Sequence, residues 1–229
     1  MSAPQPLVID VDADQRVSGL ALSPPAPRAA VVLGHGAGAG MAHPFMAALA
    51  DGFAERGIAT LRYQFASMER GSKRPDAPAL AHAVVRAAVA AAAIRWPGLP
   101  LFAGGKSYGG RMSSQAEALA HLPGVDGLVF FAFPLHPADK PGIERAEHLD
   151  RVALPMLFLQ GKRDELAEPA LLQGVLDRLQ PRATVKLFDD ADHSFHVRAR
   201  SGRNDAAVMS ELLDVAAEWI AVLATRTID

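Results

Sequence analysis

Apolar, β-branched runs bounded by Gly and Pro alternate along this chain with longer helical stretches. Leu7–Val11 and Val17–Leu22 predict an opening pair of strands, joined as a hairpin. Residues 23–27 form a stiff proline-rich connector. Ala29–Leu33 reads as a buried strand that ends in a glycine-rich turn. Pro44–Arg56 reads as a helix stopped at Gly57, and Ile58–Phe65 as a strand. Ala66–Pro78 is a polar loop, Ala79–Trp96 a long helix ended by Pro97 and Gly98, and Leu101–Gly104 a short strand. A helix is expected over Tyr108–His121, a continuous apolar strand over Gly127–Phe133, and a loop with a short helix over Pro134–Asp150. Pro155–Gln160 is another buried strand, Glu168–Leu179 a helix, Thr184–Phe188 the last strand and Asp205–Thr225 the closing helix. Strands apolar throughout, with helices between them, imply a mostly parallel sheet covered on both faces. Neither a repeat nor a domain break interrupts the pattern, so one domain over residues 1–229 is expected.

The 229 residues suffice for one sizeable core. The net charge of −2 is spread without long runs of one sign, which argues against nucleic acid or an anionic membrane surface as partner. The chain has no cysteine, which excludes disulfides, a thiolate nucleophile and a zinc–thiolate site. The first residues lack a basic segment followed by an apolar one, so no signal peptide is read. The longest apolar run, Ala83–Ile94, is short for a bilayer and carries Arg86. A cytoplasmic location is expected.

Two glycine-rich turns carry candidate chemistry. A phosphate-binding loop would need a glycine five positions before Gly105, where Pro100 stands and removes an amide. Gly34, Gly36 and Ala39 fit a loose dinucleotide fingerprint, but the next strand ends in Arg62-Tyr63-Gln64-Phe65 without the acid that would hold a ribose. The third reading takes Gly105-Lys106-Ser107-Tyr108-Gly109 as G-x-S-x-G. It follows a short strand and opens a helix, the context of a nucleophile elbow.

A serine hydroxyl is a weak nucleophile that needs a base, and the base needs an orienting acid. Asp164 follows the strand Pro155–Gln160 and His193 follows the strand Thr184–Phe188. Ser107, Asp164 and His193 thus come in the order expected for such an elbow, each past a strand end, where ligands gather in open sheets. His196 competes with His193 for the base, and Glu165 and Asp139 compete with Asp164 for the acid. The amides of Tyr108 and Ala37 are the candidate oxyanion hole.

These residues resemble the α/β-hydrolase superfamily. Within it the chain is similar to small lidless hydrolases related to dienelactone hydrolases, a group that includes the eukaryotic testis-expressed and NSL chromatin-complex hydrolase-like proteins. The resemblance rests on HGAGAG at 35–40, LRYQF at 61–65 followed by Lys73-Arg74-Pro75, GGKSYGGRMSS at 104–114, FPLHP at 133–137, Glu147-His148-Leu149, QGKRD at 160–164 and DADHSF at 190–195. It implies an α/β-hydrolase fold with minimal or no cap and a hydrolase triad at Ser107, Asp164 and His193. The chain departs from dienelactone hydrolases in lacking their cysteine nucleophile, and from the group in having Glu165-Leu166 after the acid.

Each of these residues also has a plainer reading. Ser107 is placed to be a simple helix N-cap. His35, a substrate-binding candidate with Lys106 and Arg111, either fixes the glycine-rich loop by a side-chain hydrogen bond or is a satisfied buried histidine. Lys106 and Arg111 flank the elbow, as substrate-binding cations or as partners of local carboxylates. Arg62, Lys73 and Arg74 fit a solvated charged loop. His136 and His148 lack partners at metal-ligand spacing, with Glu144 where a first histidine would be needed, so no metal is expected. The function expected is hydrolysis of a small ester or thioester without a cofactor, by a monomer or homodimer whose partner is a small acyl substrate. The alternative is a hydrolase-fold binding or scaffold protein.

Overall fold

The computed structural model describes residues 3–226. The strands are β1 (Gln5–Asp10), β2 (Arg16–Leu22), β3 (Ala29–Gly34), β4 (Ile58–Tyr63), β5 (Leu101–Lys106), β6 (Val125–Phe131), β7 (Met156–Gly161) and β8 (Ala183–Phe188). They form one eight-stranded sheet in the order β1-β2-β4-β3-β5-β6-β7-β8. The β1–β2 and β2–β4 pairs are antiparallel, and every pair from β4 to β8 is parallel. This is the α/β-hydrolase fold. Three strands, β3, β4 and β7, are buried at every position, which requires cover on both faces.

That cover comes from two sets of helices. On one face lie α3 (Pro78–Arg95), α4 (Tyr108–Leu119) and α5 (Pro169–Leu179), which bury residues such as Val85, Met112 and Val175 with Phe130 and Phe158 of the sheet. On the other lie α1 (Pro44–Glu55) and α6 (Asp205–Arg226), which bury Phe53 and Leu212 with Phe102 and Phe131. α3 starts on a proline in its first turn, where the missing amide costs no helical bond.

Three expectations are corrected. The polar loop 66–78 contains a short helix, α2 (Ala66–Glu69). β5 does not stop at Gly104 but continues to Lys106, directly against Ser107. α3, 18 residues long, is by length and composition apolar enough to cross a membrane, where no such run was expected. In this fold its Ala81, Val84, Val85, Ala88 and Ala92 are buried in the core.

The segment between β6 and β7 has one 3-10 turn, Glu147–Arg151, and does not form a lid. It packs down on α4, where the ring of His148 donates from Nε2 to Ser114 Oγ at 2.7 Å while Ser114 donates to the Arg111 carbonyl at 3.0 Å.

Candidate active site

The turn from β5 into α4 is the tightest in the chain. Ser107 has φ 51° and ψ −112°, a region sparsely populated by L-residues. Its amide donates to the Phe131 carbonyl and its carbonyl accepts from the Arg111 amide, so both flanks of the residue are pinned. The glycines allow this crossing. A Cβ on Gly105 or on Gly109 would lie 2.1 Å from the Gly34 carbonyl oxygen of β3. The side chain of Ser107 makes no cap hydrogen bond, which removes the N-cap reading.

It faces His193 instead. His193 Nε2 is 2.9 Å from Ser107 Oγ, and His193 Nδ1 is 2.7 Å from Asp164 Oδ2. The Asp164 side chain is fully shielded from solvent. Its Oδ1 accepts the Leu166 amide at 2.8 Å, and its Oδ2 also accepts from Gln160 Nε2. A buried carboxylate with that many donors holds the imidazole in the tautomer that leaves Nε2 free to accept a proton.

The competing residues go elsewhere. His196 pairs with Asp205 at 2.8 Å on the surface, and Glu165 and Asp139 are exposed. The loop that presents His193 is shaped by Asp192, whose Oδ1 accepts the amides of Ser194 and His196.

Lys106 anchors the same loop. Its Nζ donates to the His193 carbonyl at 2.5 Å and stands 5.8 Å from the ring centres of Phe45 and of Phe195. Burial pushes the ammonium down to about 8, partly offset by Asp164 and Asp192. Lys106, Ser107, His193, Ala37, Ala39, Phe45 and Met46 line a cavity of about 400 Å³. Among the described residues, no group accepts the amide of Ala37 or of Tyr108.

His35 and Arg111 do not reach this cavity. The His35 ring is buried; Nε2 accepts the Phe65 amide at 3.1 Å and Nδ1 donates to the Gly36 carbonyl at 2.7 Å, so neither nitrogen is left for a substrate. Both plainer alternatives hold at once: a satisfied histidine ties the β3 loop to the end of β4. Arg111 rests on the Tyr108 ring, 5.8 Å from its centre, with no carboxylate partner among the described residues. Arg62, expected in solvent, is buried at 3% exposure and donates to the Met41 carbonyl.

Two contributors escaped the sequence reading. Gln160 appears there only as the polar end of an apolar strand. Asp76, buried in the loop before α3, accepts the Ser67 amide and the Arg70 guanidinium, each at 2.8 Å. No group of three metal-ligating side chains occurs among the described residues.

Residues 27–221 match the family described as alpha/beta hydrolase domain. The chain belongs to this family. The hydrolase chain is also similar in structure to XC6422 from Xanthomonas campestris, described as an α/β serine hydrolase without lid, at 20% identity over 96% of each chain, TM-score 0.75. A dienelactone hydrolase from Anabaena variabilis matches at 19% identity over 97% of this chain and 100% of its own, TM-score 0.75. Est1E from Butyrivibrio proteoclasticus matches at 15% identity over 96% of this chain and 100% of its own, TM-score 0.70. At these identities the likeness is one of fold.

Proposed function

We propose that this α/β hydrolase cleaves a small ester or thioester through an acyl-enzyme formed on Ser107. The observation that carries the reading is the continuous relay from Ser107 Oγ through His193 to buried Asp164, at 2.9 and 2.7 Å. Ser107 Oγ attacks the carbonyl carbon while His193 Nε2 takes its proton. The carbonyl oxygen becomes an oxyanion held by the amides of Ala37 and Tyr108. Collapse of this intermediate breaks the bond to the leaving alcohol or thiol, which takes the proton back from Nε2. Water then attacks the acyl-enzyme, giving up a proton to Nε2, and release of the acid restores Ser107. Asp164 stays ionised throughout and orients the ring. The apolar wall of Ala37, Phe45 and Met46 suits a short acyl chain. The serine hydrolase and dienelactone hydrolase names of the structural neighbours support this reaction class.

The test is fluorophosphonate labelling of wild type, Ser107→Ala and His193→Ala, followed by a screen of esters by chain length. Labelling of wild type alone, at Ser107, is expected, with turnover in Ser107→Ala lower by about 10⁴ or more. A folded wild type that takes no label and hydrolyses nothing would overturn the reading in favour of a binding role for the fold.

A further inference from the structure

Because β5 lies between β3 and β6, Ser107 has two flanks. The β3 loop builds one, around the apolar cavity. The other is built by the segment after β6, seated on α4 through the buried His148–Ser114 hydrogen bond. Arg111 stands three residues before Ser114, and Arg145 three residues before His148. With the segment so seated, Arg145 acts electrostatically on Arg111, one helical turn past Ser107.

Among the described residues the two arginines lack counter-charge. Arg56, Arg70 and Arg203 each hold a carboxylate, at 2.7, 2.8 and 2.5 Å. Neither Arg111 nor Arg145 has a carboxylate within ion-pair distance among the described residues. Arg145 spends one Nη1 donor on the His136 carbonyl at 2.9 Å. Arg111 Nε is buried with no hydrogen-bond partner among the described residues. Burial holds both groups below the ordinary arginine range, and Arg145 adds repulsion at Arg111. The neighbouring histidines, His148 and His82, are themselves pushed toward neutrality by burial. A pair of desolvated, like-charged forks is costly unless an anion completes it. Planar guanidinium forks match an oxyanion with two oxygens. The site is one helical turn from the nucleophile, since the Arg111 amide donates to the Ser107 carbonyl at 3.1 Å.

We propose that Arg111 and Arg145 form an anion subsite on the β6 side of Ser107, and that the substrate is an ester or thioester bearing a carboxylate near the scissile bond. This rests on the hydrolase reading above. With the apolar group in the cavity and the carboxylate on the arginine pair, the scissile carbonyl lies across the elbow.

The test compares kcat/KM for two substrate pairs, each differing in one charge: 4-acetoxybenzoate against 4-acetoxybenzamide, and a monoaryl glutarate against the aryl valerate. Wild type is expected to prefer the anionic member of at least one pair. That preference should fall about tenfold or more in Arg111→Gln and in Arg145→Gln, and part-way in Arg111→Lys, which keeps the charge and loses the fork. Fluorophosphonate labelling on the same preparations separates the two readings. Wild type that labels at Ser107 but favours the neutral member of both pairs overturns the subsite and leaves the hydrolase standing. An unchanged preference in both glutamine variants does the same. Absence of labelling in folded wild type overturns both. The wild-type ratio decides even if a variant fails to fold.

Discussion

Lys106 sits between Ser107 and the loop that carries His193, and its charge sets how that loop is held. The ammonium bonded to the His193 carbonyl titrates near 8 instead of in the ordinary lysine range. Above that pH the tether becomes a weaker, neutral donor. We expect kcat/KM to fall through a limb centred near pH 8, and Lys106→Arg to move that limb upward, checked by pH–rate profiles on one neutral ester. Stability moves the other way. Between about 8 and the ordinary lysine value, the unfolded chain keeps a proton that the folded one has released, so stability from this group rises with pH across that window. At the residue scale the sequence was most informative where chemistry is local. Ser107, Asp164 and His193 were legible because an elbow and two strand ends carry their own signals. Gln160 and Asp76 were not, because their partners lie on other elements and only the folded chain brings them into contact.

At the scale of elements, the seating of residues 143–151 on α4 is the contact with a pH dependence of its own. His148 is buried at 9% exposure and pushed down to about 4 by that burial, then by Arg111, Arg151 and His82. In the unfolded chain the ring takes its proton near 6.5; in the folded one it resists until about 4. The contribution is complete above 6.5 and lost as pH falls toward 4, amounting to about 3 kcal/mol. Urea unfolding at pH 7 and pH 4.5 should show this loss in wild type. His148→Gln, which can still donate to Ser114, should show a smaller one. Elements were read from the sequence to within a few residues because apolar runs and Gly or Pro stops mark them. The exception is α2: its four residues lie in a stretch of charge and glycine, and its position is fixed by the Asp76 carboxylate accepting the Ser67 amide.

For the whole molecule, the parallel sheet was legible from uninterrupted apolar strands, but its strand order was not. Nothing local in β1 and β2 says that they join the sheet beside β4, since that pairing depends on register between segments some forty residues apart. The same long-range contacts hold Ser107 in its strained backbone, with β3, β5, β6 and α4 all converging on one residue. In the proposed mechanism that geometry sets activity against durability. Ser107→Gly gives up the proposed nucleophile and also the steric conflict at φ 51°, so it should unfold later than wild type, by about 1–2 kcal/mol in denaturant. Ser107→Ala, which retains the Cβ, should show little of that gain. A Ser107→Gly variant that outlasts wild type would mean that the conformation of Ser107 is held at the expense of global stability.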